Sequence, residues 1–408
     1  MLAHWIWLAT RRGVSPRAAV RLLQAFPDIE SLYYARDYGR PAGIEAKGLE
    51  ALGDKSLEEA NEILVRCYNK GIGVLTYVDA AYPVRLRNIP DPPVVLYYKG
   101  TLPEFDGEAA VAVVGTRKAS AYGCTVAKRM GFQIAKCGGL VVSGLAGGVD
   151  TMAMYGALMG DSRTVGVLGC GVDVVYPRSN AGLYRDTERN GCLLSEYPPG
   201  TPPLGRNFPQ RNRILSGLCC GVVVVEAPIK SGALITAQCA LDQGRDVFAV
   251  PGNIDSDASA GCNALLRQGA LMVQHGWDVM EEYEARFPDK LHRWVGGMPL
   301  GTYPQEIVEL RQDPLVSEPK HASEKIVDNR DETPYHDLQK QLADLTSDER
   351  QVFSQLTQKL KHTDQVIADT GLPAGKVLAA LTMLEVKGLV LRHPGKYYSL
   401  VREQTGRT

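Results

Sequence analysis

At 408 residues, 45% of them hydrophobic, the chain is long enough for more than one domain and at least one sizeable core. Its 45 Lys and Arg against 46 Asp and Glu give a formal charge of −1, which excludes a protein that coats nucleic acid by bulk attraction and requires any anion site to be local. Nine cysteines, with Cys219 and Cys220 adjacent and no C-x-x-C pair, form neither a disulfide framework nor a zinc knuckle; they read as buried thiols of a reducing, cytoplasmic setting.

The first apolar run, Leu2 to Ala9, is too short to span a bilayer, and Arg11 and Arg12 follow it instead of preceding it, so neither a membrane span nor an export signal is expected. Residues 1–80 are predicted to form a helical domain. In it, Gly13-Val14-Ser15-Pro16-Arg17-Ala18-Ala19 followed by Val20, Leu22, Leu23 and Phe26 looks like a helix-hairpin-helix or SAM-like unit in which Ser15 replaces a usual glycine. Gly43-Ile44-Glu45 reads as a degenerate second hairpin. Such hairpins can offer backbone N–H groups to DNA phosphates; packing or partner binding is the competing reading.

Residues 81–285 form the next expected domain. From Ala109 to Tyr283 short Val-rich runs alternate with helix-like stretches, the pattern of an α/β fold whose parallel sheet is covered on both faces. Strands are expected at Val111 to Val114, Leu140 to Val142, Thr164 to Leu168, Cys192 to Leu194, Val222 to Val225, Val247 to Val250 and Leu271 to Val273. Most run into polar or glycine-rich turns, which in a parallel sheet share the edge where open α/β sheets bind ligands. Glycines admit a phosphate closely, and the helix N-termini that follow present N–H groups and partial positive charge. With Arg117, Arg211, Arg213 and Lys230, these turns read as an anion-binding crevice. For any one loop taken alone, a tight turn is the simpler account.

Asn207 to Leu218 reads as a short connector into the strand at Val222. Guanidinium groups flanking an amide, as in Arg211-Asn212-Arg213, suit phosphate oxygens, and Phe208 can offer a face to a nucleobase. The competing reading pairs Arg211 and Arg213 with local carboxylates and caps a helix. The absence of G-x-x-x-x-G-K-[ST] argues against a P-loop ATPase, and Gly169-Cys170-Gly171 starts a dinucleotide fingerprint that Val174 fails to complete. All seven histidines lie outside residues 101–270, so neither a Ser-His relay nor a His-ligated metal can be built from the crevice loops. No catalytic residue, metal or cofactor is therefore assigned. Asp150, Asp173, Glu196 and Glu226 are expected to cap helices and orient arginines, in preference to holding Mg²⁺ or acting as acid and base.

Residues 286–340, with prolines at Pro314, Pro319 and Pro334, read as a linker. In residues 341–408, helices are expected at Ser347 to Leu356, His362 to Asp369 and Ala374 to Lys387, with Gly388 stopping the third. A hairpin of Leu389-Val390-Leu391 and Tyr397-Tyr398-Ser399-Leu400 then follows around His393-Pro394-Gly395-Lys396, which is winged-helix order. The third helix is mostly apolar from Val377 to Leu381, so interdomain or partner packing stands beside DNA binding.

Several motifs then fall in one familiar order: Val114-Gly115-Thr116-Arg117-Lys118-Ala119-Ser120, Ser143-Gly144-Leu145-Ala146, Val167-Leu168-Gly169-Cys170-Gly171-Val172-Asp173 with Tyr176-Pro177, and Ser195-Glu196-Tyr197-Pro198-Pro199-Gly200. Phe208-Pro209-Gln210-Arg211-Asn212-Arg213, Ser231-Gly232-Ala233-Leu234-Ile235-Thr236-Ala237 and Phe248-Ala249-Val250-Pro251-Gly252 complete the order. The chain resembles the DprA family, also called Smf, the DNA-processing proteins of bacterial natural transformation. The resemblance implies an extended Rossmann-like domain between a helical N-terminal domain and a C-terminal winged helix. It also implies a homodimer that binds and protects single-stranded DNA and loads RecA recombinase onto it, without turnover. It places Gly115, Thr116, Arg117 and the Ser231-Gly232 turn in a phosphate pocket, Arg211 and Arg213 on its rim, Lys230 nearby and Phe208 on a base. Ser120, Ser143, Gly144, Asn212 and Thr236 join the same DNA-binding set. Met154 stands where the family usually has His, which removes any polar role there.

Two other readings compete. A Rossmann-type hydrolase of nucleoside monophosphates could use Glu226 with the Ser231-Gly232 turn, and a scaffold could retain the crevice only as a vestige. Leu265, Leu266, Ala270, Leu271 and Val273 mark a candidate dimer surface, with a plain core helix and strand as the simpler account.

Overall fold

Short, mostly apolar runs, Val-rich in the central strands, set the sheet. β1 (Gly73–Thr76), β2 (Val95–Gly100), β3 (Ala110–Val114), β4 (Leu140–Ser143), β5 (Thr164–Leu168), β6 (Cys192–Ser195), β7 (Gly221–Val224), β8 (Asp246–Ala249) and β9 (Leu271–Met272) make one sheet in the order β1-β2-β6-β5-β4-β3-β7-β8-β9. From β6 to β9 each neighbouring pair is parallel; β2 joins β6, and β1 joins β2, antiparallel. The seven expected strands lie within one residue of their expected bounds. β1 and β2 extend the sheet beyond them.

The computed structural model describes residues 1–39, 44, 46–294, 296, 345–357, 360–387, 389–393 and 397–400, which fall into two compact units, one ending by residue 296 and one beginning at residue 345. Most of the expected linker, Gly43 and Glu45 of the second hairpin, Gly388, and the 394–396 turn lie outside the described residues.

In β3 alternate side chains enter opposite cores: Val111 and Val113 one, Ala110, Ala112 and Val114 the other. All five are buried, which is why the strand reads as an unbroken apolar run. The helices Ala121–Lys136, Val149–Met159 and Ala181–Asn190 cover the first face, together with the N-terminal helices: Trp5, Trp7, Leu22 and Leu32 share a core with Tyr97, Leu168 and Leu193. Ser15 serves as the N-cap of the helix Pro16–Ala25, its Oγ accepting from Ala18 N at 3.2 Å, a use for serine where a glycine was looked for. Met154 is fully buried in the same core, so the Met found in place of His acts on packing and not on the crevice.

The other face is covered by the helices Asn207–Gly217, Gly232–Asp242 and Ala260–Arg267. The first of these corrects the reading of residues 207–218 as a connector. Ile214, Leu215 and Leu218 bury in the second core, and Pro209 sits in the first turn, where its missing N–H breaks no helical bond. Of the candidate dimer surface, Leu265 and Val273 are buried, whereas β9 exposes Leu271 (43%) and its neighbour Met272 (61%) on the sheet edge.

In the second unit β10 (Lys361–His362), β11 (Val390–His393) and β12 (Tyr397–Leu400) pair in the order β10-β12-β11 beside the helices Ser347–Ser354, Thr363–Thr370 and Ala374–Val386, a winged helix. Val352, Val366, Val377, Leu381 and Leu384 form its own core. Lys376, on the third helix, pairs with Asp348 at 3.2 Å, and the exposed positions of that helix include the apolar Leu378 and Met383. Among the described residues no single helix is long and apolar enough to cross a membrane.

Candidate functional site

β3 and β7 are neighbours, yet the chain leaves them toward opposite faces, into the helix Ala121–Lys136 on one side and Gly232–Asp242 on the other. That divergence opens the sheet at its carboxyl edge, the switch point where open α/β folds take ligands. A cavity of about 540 Å³ lies there. The loops after β3, β4, β5 and β7, the end of the loop after β6 at Pro203 and Gly205, and the helix Asn207–Gly217 wall it; the start of the loop after β6 and the loop after β8 line other cavities.

The loops after β3 and β7 are laced together. Thr116 N donates to Glu226 O at 2.7 Å, and Thr116 O accepts from Val149 N at 3.2 Å. A Cβ on Gly115 would stand 2.5 Å from Val149 Cγ2 and 2.7 Å from Glu226 O, so this closeness requires glycine. Ser231 caps Gly232–Asp242, its Oγ accepting from Ala233 N at 3.3 Å, and Gly232, Ala233 and Thr236 form the cavity wall at the positive end of that helix. Arg117 and Lys230 are exposed, line the cavity and have no carboxylate partner among the described residues. Asn212 also lines it, its Nδ2 donating to Gly232 O at 3.4 Å.

Arg211 lines the cavity from beneath and is 4% exposed. Its guanidinium donates to Gly144 O at 2.9 Å and to Val167 O, tying the ends of β4 and β5 together. Gly144 lies under that guanidinium so closely that a Cβ would stand 2.5 Å from both terminal nitrogens. Asp150 accepts from Gly144 N at 3.1 Å. Burial pushes its carboxyl up to about 6, against the opposing pull of Arg211 and of the N–H groups of Ala146, Gly144 and Gly115. Arg211 therefore gives the cavity floor a fixed positive charge, where the resemblance had implied a place on the rim.

Arg213 needs a larger correction. Residues two apart on a helix do not share a face, and Arg213 points away from this cavity into one of about 800 Å³ beside the N-terminal hairpin. There its Nη2 donates to both oxygens of Glu196 at 2.7 Å and its Nε meets Asp91 at 3.1 Å. Burial alone would lower its basicity, but Glu196 and Asp91 outweigh that and hold it above the ordinary value. This is the carboxylate pairing that competed with the phosphate reading.

Three other expected residues also stand outside the cavity. Ser120 caps the helix Ala121–Lys136 and gives its N–H and hydroxyl to Glu226 at 2.8 and 2.6 Å, lining a separate cavity of about 510 Å³. Ser143 is fully buried, its Oγ donating to Val113 O at 2.8 Å. Gly144 supports Arg211 as described. Two carboxylates behave as expected, Glu226 holding the main chain of Ser120 at a helix start and Glu196 orienting Arg213; Asp150 accepts from Gly144 N in the loop before its own helix, and Asp173, neither a helix cap nor an arginine partner, accepts from Lys70 at 2.6 Å and from Gly200 N at 2.8 Å.

Phe208 lines the cavity with the Arg117 guanidinium 5.1 Å above its ring and Tyr176 5.5 Å away at an interplanar angle of 40°. Tyr176 was not assigned from sequence. Its signal was the Tyr176-Pro177 pair in the loop after β5, which carries part of the family resemblance without a role having been given to the ring. Among the described residues no group of three or more His, Cys, Asp or Glu is placed to hold a metal ion, and the cavity's single carboxylate, Asp150, is engaged with main-chain N–H groups. The arrangement suits a phosphate against N–H donors and two free cations, next to an aromatic face for a ring.

The sequence profile described as DNA recombination-mediator protein A matches residues 73–284, and that of the DprA winged helix domain matches residues 337–396. The chain is 34% identical over 404 residues to Protein Smf of Synechocystis sp., spanning 97% of this chain and 98% of that protein. DNA processing protein DprA of Streptococcus pneumoniae is 44% identical over 207 residues, which is 51% of this chain and 73% of the relative. The X-ray structure of DNA processing protein A from Streptococcus pneumoniae superposes with a TM-score of 0.59 at 34% identity, covering 69% of this chain and 98% of that one.

Proposed function

The chain belongs to the DNA recombination-mediator protein A family, and on that premise we propose that it binds single-stranded DNA in the cavity between β3 and β7 and passes the strand to a RecA-type recombinase. The observation that carries this reading is the pairing of a phosphate cradle with rings. Helix N–H groups at Gly232, with Arg117 and Lys230, suit the repeating phosphates, and Phe208 and Tyr176 suit bases of any identity. A duplex hides its base faces, so the rings favour a single strand. In this reading the protein acts in the cytoplasm, binds without turnover and works as a homodimer, with the exposed Leu271 and Met272 of β9 as the surface between copies. The hydrolase alternative needs Glu226 beside Ser231; Glu226 lines the separate cavity instead, its carboxylate held by Ser120.

Fluorescence anisotropy with a labelled oligo-dT tests the reading. Folded wild-type protein is expected to bind tightly and in a salt-sensitive way, and an Arg117→Ala, Lys230→Ala double variant to lose that binding. RecA assembly on the same strand should be accelerated by the wild type and not by the variant. Failure of folded wild-type protein to bind, or unchanged binding by the double variant, would refute it.

A further inference from the structure

Resting on that reading, we propose that Tyr176, and not Phe208 alone, is the ring on which the incoming nucleobase stacks. Phe208 already has occupied neighbours. The Arg117 guanidinium lies over its ring at 5.1 Å, and Gly169 packs so tightly against it that a Cβ there would stand 2.9 Å from Cδ1. A base could use the covered face only after Arg117 moved.

Tyr176 is open. Its residue is 38% exposed and lines the cavity, with the Phe208 ring behind it at 5.5 Å. Its main chain is clasped at both polar groups by one buried side chain: the Tyr184 hydroxyl donates to Tyr176 O at 2.8 Å and accepts from Tyr176 N at 3.4 Å. A ring on so fixed a backbone has only its own rotamers to lose on stacking, which keeps the entropic cost low. The geometry divides the work. Arg117, Lys230 and the Ser231 turn take the phosphate, and Tyr176, buttressed by Phe208, takes the base.

The test separates base from phosphate by pairing oligo-dT with an abasic strand of equal length and charge. Against full-length protein, Tyr176→Ala is expected to lose about tenfold in affinity for oligo-dT. It should bind the abasic strand as the wild type does. Tyr176→Phe should keep wild-type affinity for both, and Lys230→Ala should weaken both. Unchanged oligo-dT affinity in Tyr176→Ala would overturn the assignment, and so would an equal loss on both strands, which would make Tyr176 a support for the phosphate pocket. Should the alanine variant fail to fold, photocrosslinking of wild-type protein to a strand carrying 5-iodouracil decides: adducts on Tyr176 support the proposal, and adducts confined to other residues overturn it. No oligo-dT binding by folded wild-type protein would remove the single-strand reading itself, whereas normal wild-type binding with an insensitive Tyr176 removes only this inference.

Discussion

Arg211 and Arg213 stand two residues apart and serve different ends, because the helix turns them to different cavities. Arg213→Ala would leave Glu196 without its bidentate partner in a site where its side chain is 19% exposed. Orphaning a largely buried carboxylate costs about 3 kcal/mol, so the variant should show a lower urea midpoint while its folded fraction binds oligo-dT normally. Loss of binding without loss of stability would return Arg213 to the phosphate site. Asp150 brings a pH dependence of definite sign. An aspartate of the unfolded chain titrates near 3.8, while burial holds this one near 6. Between those values the folded protein keeps a proton that the unfolded chain has released. The stabilising contribution is therefore complete below the unfolded value and is lost as pH rises through about 6. Asp150→Asn should flatten that segment of the stability curve. The same proton removes a negative charge from the cavity lining, so under the proposed function oligo-dT affinity should rise as pH falls through about 6 in the wild type and not in Asp150→Asn.

Among the elements, the central strands were legible because both their faces are covered, leaving uninterrupted apolar runs such as Val222 to Val225. The crevice was legible for a related reason, since the order of strands and glycine turns places its loops on one edge. β1 and β2 were not: they are antiparallel additions, and β2 carries its alternation through Tyr97 and Tyr98 after a proline-rich approach. The helix Asn207–Gly217 was hidden by Pro209 and by arginines where an apolar stripe would normally show. Without that helix, nothing in the sequence could separate Arg211 from Arg213 by face. The helix Gly232–Asp242 was expected only as one of the helix-like stretches between strands; its cap at Ser231 comes from the structure and is testable. Ser231→Ala should lower stability by about 1 kcal/mol in thermal melts, whereas Ser231→Gly should cost only a few tenths. Equal melting of all three proteins would show that Ser231 matters only to ligand.

For the molecule as a whole, a formal charge of −1 means that attraction for a polyanion must come from a few placed cations. Among the described residues Arg117 and Lys230 flank the cavity without carboxylate partners, Arg211 is buried below it, and Arg213 is neutralised by Glu196 and Asp91. In the second unit Lys361, Lys376 and Lys387 are paired with Asp369, Asp348 and Glu349. Each phosphate neutralised on a single strand contributes about −0.7 to the slope of log affinity against log salt. Two free cations and one buried charge therefore predict a slope of about −2 for one strand segment in one cavity. Lys230→Ala should make it shallower by about 0.7, while Arg213→Ala should leave it unchanged. A wild-type slope several times steeper would mean that cations outside the cavity carry the strand, and the hairpin and the winged helix would then have to be searched for them.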